Sequence, residues 1–110
     1  MRTITTEELK RKAKEYYAAR RLTAQNSMGC VLREDDCRCA IGAAMTDEEI
    51  NKANDAKAPT VKLLVDNNII SFENIPFAIK LQHAHDVWCC EVNFRKDKRT
   101  KEQDFLELLK

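Results

Sequence analysis

Met28-Gly29-Cys30-Val31-Leu32-Arg33-Glu34-Asp35-Asp36-Cys37-Arg38-Cys39-Ala40-Ile41-Gly42-Ala43-Ala44-Met45 is the stretch on which the reading of this chain turns. It holds both glycines and three of the five cysteines. Two short apolar runs, 28–32 and 37–41, flank the charged tetrapeptide 33–36. Runs of that length suit strands, and the four-residue link between them predicts a hairpin, here termed the clasp. Gly42 then either ends the second arm or lets the backbone approach another element closely. Residues 43–45 fit a continued strand and the start of a helix equally well.

Helices are expected on both sides of the clasp. Upstream, Thr5 and Glu8 have the spacing of a capping box, so a helix should start there and run to about residue 21 or 22. Leu9, Ala13, Tyr16, Tyr17 and Arg20 recur at intervals of three and four and give it a modest stripe. Downstream, Thr46 and Glu49 form a second box, opening a short helix to about residue 56. Pro59 fits the first turn of the next helix, whose apolar face is Val61, Leu64 and Val65 and which Asp66-Asn67-Asn68 stops. Ile69-Ile70-Ser71-Phe72 reads as a brief apolar crossing into the core. Asn74 suits the N-cap of the strongest helix, 75–91, with Pro76 in its tolerant first turn. Phe77, Leu81, Ala84 and Trp88 fall within one narrow arc of that helix. Thr100 and Gln103 make a third box, before a closing helix bearing Phe105, Leu108 and Leu109. The expected fold is therefore α+β and mainly helical, with four or five helices packed around a short two-stranded β-hairpin.

Residues 1–110 are one domain by size, long enough to bury a core without staples. A charged share of 34% suits a small helical protein with solvated outer faces. The 19 basic and 18 acidic side chains leave a net charge of +1, which excludes a global field drawing the chain onto nucleic acid or anionic lipid. A nucleic-acid binder would need a local patch. Residues 1–6 lack the apolar segment of a signal peptide, and no run is long enough to span a bilayer. A cytoplasmic protein without membrane attachment is expected. An odd count of cysteines in a reducing compartment argues against a disulfide framework.

Five residues are candidates for metal: Cys30, Cys37, Cys39, His85 and Cys89. His85 and Cys89 stand at helical i, i+4 spacing, and alternate positions on a strand put Cys37 and Cys39 on one face. Against zinc, the chain has neither a Cys-x-x-Cys nor a His-x(3–5)-His element. Cysteine is also among the most buried residue types, so packed thiols and no cofactor are the favoured reading. His83 and His85 are two apart and point in opposed directions. His85-Asp86 invites comparison with histidine–aspartate phosphohydrolase sites, but only His83 is left to complete one. A Cys39 nucleophile with His85 as base would lack an orienting third group. His85 is better read as structural, bonding a backbone group of the clasp.

The clasp and the later helix together resemble a group of small phage and prophage proteins. The matching residues are Gly29-Cys30-Val31-Leu32-Arg33, the run Cys39-Ala40-Ile41-Gly42 followed by Thr46-Asp47-Glu48, and the segment Leu81-Gln82-His83-Ala84-His85-Asp86. Cys37, Cys89 and Cys90 lie outside that pattern. The resemblance implies an accessory protein acting in a bacterial host cell. It also implies that clasp and helix touch, so that Cys39, Ile41, Leu81, His85 and Trp88 share the core.

Three functions follow, in order. The first is a non-enzymatic protein that binds and modulates a host or phage macromolecule, most naturally a protein, as a host-defence inhibitor would. The second is a nucleic-acid-binding accessory protein. It would use Lys10, Arg11, Lys12 and Lys14 with Arg95, Lys96, Lys98, Arg99 and Lys101, provided that the first and last helices are neighbours. The third is a small metal- or thiol-dependent enzyme.

Overall fold

The computed structural model describes residues 1–26, 31–94 and 100–110, the side chains of 92–94 and 100 excepted. The fold is α+β and mainly helical, with five α-helices and a short antiparallel hairpin among the described residues. Met28, Gly29 and Cys30 of the clasp, and Arg95, Lys96, Lys98 and Arg99 of the second basic stretch, lie outside the described residues.

The chain opens with β1 (Arg2–Ile4) and enters α1 (Thr6–Ala18) one residue later. β1 pairs in parallel with β4 (Ile70–Phe72), and Ile4 and Ile70 are fully buried. The apolar crossing is thus a strand, and its partner is residues 2–4, for which the sequence pattern predicts no element. Three residues are too few for a period-two signal. Thr5 caps α1, accepting the Glu8 N–H at 3.1 Å. The Glu8 carboxylate turns to Arg2 instead, also at 3.1 Å.

α1 ends earlier than its residue types predict, and Arg20 leaves the apolar stripe. Arg20 takes φ 56°, its N–H donates to Tyr17 O, and the Arg21 N–H donates to Tyr16 O. That pair of bonds is a Schellman motif. α2 (Asp47–Asp55) and α3 (Val61–Asp66) end the same way, with Lys57 at φ 55° and Asn68 at φ 56° in the left-handed position. Glycine usually sits there, because a Cβ is strained at such angles. This chain tolerates Arg, Lys and Asn, and the motif joins Ala58 to Ala53, Ile69 to Leu64 and Arg21 to Tyr16. The Arg21 guanidinium lies 4.7 Å from the Tyr16 ring centre. Thr60 caps α3, so Pro59 stands outside its first turn, where its carbonyl accepts from Gln82.

The hairpin exists but sits further in than the apolar runs imply. β2 (Arg33–Glu34) and β3 (Cys37–Arg38) pair Arg33 with Arg38 and Glu34 with Cys37, leaving Asp35-Asp36 as the turn. Asp35 supplies the positive φ of 53°. One arm of the ladder, Arg33-Glu34, is therefore made of residues expected in the loop, while the other, Cys37-Arg38, falls in the expected second arm. A longer flat ladder would turn alternate side chains to solvent. Leaving it lets Leu32, Cys39, Ala40 and Ile41 all enter the core. The two arms still meet at their backbones: a Cβ on Gly42 would lie 2.1 Å from the Leu32 carbonyl oxygen. Gly42 begins a 3-10 turn (Gly42–Ala44), after which Thr46 and Glu49 form the complete capping box of α2.

α4 (Ile75–Phe94) is the long central element, with Asn74 accepting the Phe77 N–H at 3.0 Å. Its deepest residues are Ala78, Leu81, His85, Trp88 and Cys89, so the buried stripe is rotated toward His85 relative to the Phe77–Ala84 edge. α5 (Thr100–Leu108) packs along it through Phe105 and Leu109. Among the described residues, no helix is long and apolar enough to cross a membrane.

Candidate functional site

Among the described residues, the thiols of Cys37, Cys39 and Cys89 are buried and that of Cys90 is exposed. Cys39 is buried, and burial pushes its pKa up to about 11 although the Gly42 N–H donates to its sulfur at 3.3 Å. The Asp86 carboxylate adds to that rise, which places the clasp beside α4. Burial also raises the Cys37 thiol, against the opposing charge of Arg21, and Asn26 Nδ2 donates to it at 3.3 Å. A nucleophilic or metal-binding cysteine acts as thiolate, so both shifts run away from such chemistry. Cys89 is buried in α4 and Cys90 is exposed. Among the described residues, no group of three His, Cys, Asp or Glu side chains is arranged to hold a metal ion. Cys39, Ile41, Leu81 and Trp88 belong to one buried cluster.

His85 is fully buried at the junction of three elements. Its ring stands edge-on to Trp88 at 6.0 Å and to Phe105 at 5.9 Å between centres. Nε2 accepts the Ala24 N–H at 3.4 Å and lies 3.3 Å from the Thr23 hydroxyl; Nδ1 lies 3.5 Å from Asp86 Oδ1. The backbone group that it holds thus belongs to the 3-10 turn Thr23–Asn26, just before the clasp, and not to the clasp itself. An amide donating to Nε2 requires a neutral ring with its proton on Nδ1.

Three arginines do work that their sequence positions did not reveal. Arg2 donates to both carboxylate oxygens of Glu49 at 3.0 and 2.6 Å, to Glu8, and to the Ala44 carbonyl at 2.8 Å. It thereby ties β1, α1, the second 3-10 turn and α2 together. Arg38 donates to the carbonyls of Gly42 and Met45 and to the Asp47 carboxylate. Arg33 reaches Asp47 at 3.1 Å and Asn51 at 2.8 Å. The hairpin is thus clamped onto the start of α2, where the helix dipole already favours acidic residues. The acidic run Asp47-Glu48-Glu49 after three unmatched arginines was the available signal.

The remaining candidates lie on the outer face of α1. α1 and α5 run antiparallel: the Tyr17 hydroxyl donates to Glu102 at 2.7 Å near one end, and Lys10 Nζ donates to the Lys110 main-chain oxygen at 2.9 Å near the other. Between them opens a shallow groove of about 600 Å³, lined by Thr6, Glu7, Lys10, Arg11, Lys14, Leu109 and Lys110. Lys10 also lies over the Phe77 ring at 5.4 Å. Arg11 and Lys12 both pair with Glu15. Lys101 pairs with Asp104 at 3.7 Å at the far end of α5. At about 1.5 Å per residue, that helix sets Lys101 roughly 13 Å from the groove. Comparison with protein-family models, with curated proteins and with solved structures returned no match.

Proposed function

We propose that the chain is a small non-enzymatic binding protein of the phage accessory type, which engages and modulates a protein partner in a bacterial host. The observation that supports this reading is the mixed charge of the surface around the α1 groove, whose own lining carries Lys10, Arg11, Lys14 and Lys110 against Glu7. Glu7 and Glu15 stand among Lys10, Arg11, Lys12 and Lys14, and Lys110 pairs with Glu107 at 2.8 Å. A surface of interleaved sign matches another protein better than a polyphosphate, which rewards unpaired cations. The test is capture from nuclease-treated bacterial lysate by the protein and by its Arg11→Glu/Lys14→Glu variant. A protein retained by the parent and by a Lys52→Glu control, and lost with the double variant, supports the reading. Capture of the same set by all three overturns it.

The nucleic-acid reading is the second, favoured by the adjacency of the first and last helices. It requires an affinity that collapses between about 50 and about 200 mM salt. No mobility shift at low salt ends it.

A further inference from the structure

We propose that His85 is a pH-dependent latch on the turn Thr23–Asn26, closed when the imidazole is neutral and opened when Nε2 takes a proton. The turn has no regular ladder to hold it. A bond from the Ala24 amide to His85 Nε2, with the Thr23 hydroxyl alongside, attaches it to α4. Thr23, Ala24 and His85 are all fully buried, so no solvent replaces that bond when it is lost.

A proton on Nε2 puts a donor against a donor. The Ala24 N–H cannot rotate away, because it belongs to the backbone. The Thr23 hydroxyl can turn and accept, so the charged ring keeps one partner at Nε2 and Asp86 at Nδ1. The latch therefore opens at the amide while the side chain retains neighbours that stabilise its charge. Histidine is the side chain that changes charge nearest neutrality.

The titratable groups around the ring, among the described residues, come from α4, the clasp and α1. Asp86 and the buried Cys89 thiol one turn on come from its own helix, and the Cys39 thiol of the clasp feels that same carboxylate. Tyr17 of α1 stands behind Trp88, with ring centres 6.2 Å apart. α5 contributes Phe105, and the turn itself contributes Thr23 and Ala24, none of them charged. Opening the latch leaves the segment held by Asn26, on the Arg20 and Leu22 carbonyls and the Cys37 sulfur, and by Gln25 on the Tyr17 carbonyl. Acid thus loosens the joint between α1 and the hairpin.

The experiment is site-resolved NMR of the intact chain, following the His85 ring nitrogens and amide exchange from about pH 7.5 to about pH 5. At neutral pH, His85 should show the proton on Nδ1. As the ring charges, the protection factor of Ala24 should fall about tenfold, the weight of one buried hydrogen bond, while the β1–β4 amides keep theirs. In His85→Gln, whose side-chain oxygen accepts but takes no proton, Ala24 protection should not vary with pH. If that variant does not fold, the wild-type titration decides alone. A proton found on Nε2 at neutral pH, a ring that stays neutral until the whole chain unfolds, or Ala24 protection unchanged while the ring titrates would each overturn the latch.

Discussion

The clasp corner and the seam between α4 and α5 hold the same fold together by opposite means. At the corner, the contacts are directional: Arg33 and Arg38 on Asp47, Arg2 on Glu49, and the Gly42 backbone against the Leu32 carbonyl. In the seam, Trp88, Phe105, His85 and Tyr17 meet ring to ring, with the Trp88 and Phe105 centres 5.4 Å apart. Apolar burial scales with area and tolerates small rearrangements, whereas a backbone contact or a guanidinium fork fails with a small displacement. The seam should therefore carry more free energy and the corner more geometric specificity.

Truncation tests that division first. Trp88→Ala removes the largest fully buried side chain, and should cost about 4 kcal/mol in urea unfolding. Gly42→Ala deletes nothing, yet should cost about 3 kcal/mol, because the added Cβ meets backbone rather than a movable side chain. A near-neutral Gly42→Ala would show that the corner yields as readily as the seam.

The pH response separates the regions next, through stability measured across acid and alkali. Burial raises the Glu49 carboxyl, but bonds from Arg2 and the Thr46 N–H outweigh it and leave its pKa below the ordinary 4.5. The corner's contribution is thus present above that value and lost as pH falls through the depressed one. Glu49→Gln should flatten this acid limb. Cys39 runs the other way. Its pKa is raised from 9.0 to about 11, so its contribution is full below 9 and lost as pH climbs to about 11. Cys39→Ala should remove that alkaline slope, and an unchanged slope would separate it from the buried thiol.

The smallest expected effect lies away from both regions. Lys57→Gly relieves a left-handed lysine at the end of α2 and should stabilise by about 0.5 kcal/mol, read as a rise in Tm. A loss instead would mean that the Lys57 side chain contributes more than its backbone strain costs.

Residues three or four apart fixed much of the helical plan. The caps at Thr5, Thr46 and Asn74 and the stop at Asn67-Asn68 are bonds within one turn of chain, so residue type and spacing suffice to read them. The mainly helical class and the presence of a hairpin followed from the same local rules. Of the surface residues, Lys10, Arg11 and Lys14 were legible as a basic face, but their groove was not, because Lys110 closes it from the other end of the chain. Arg20 and Lys57 as helix stops escaped notice, since glycine is the usual marker.

Tertiary structure decided whatever depends on which distant segments compete for the interior. The β1–β4 pair joins residues 2–4 to 70–72, and only that pairing makes either segment a strand. The first arm of the hairpin ladder moved into the charged tetrapeptide, to Arg33-Glu34, as Leu32 and Ile41 went inside. His85 became the centre of its stripe once the Ala24 amide and Phe105 arrived from two other elements to enclose it. A sequence states each residue's local preferences, but burial is shared among all segments, and its allocation is settled only when they pack.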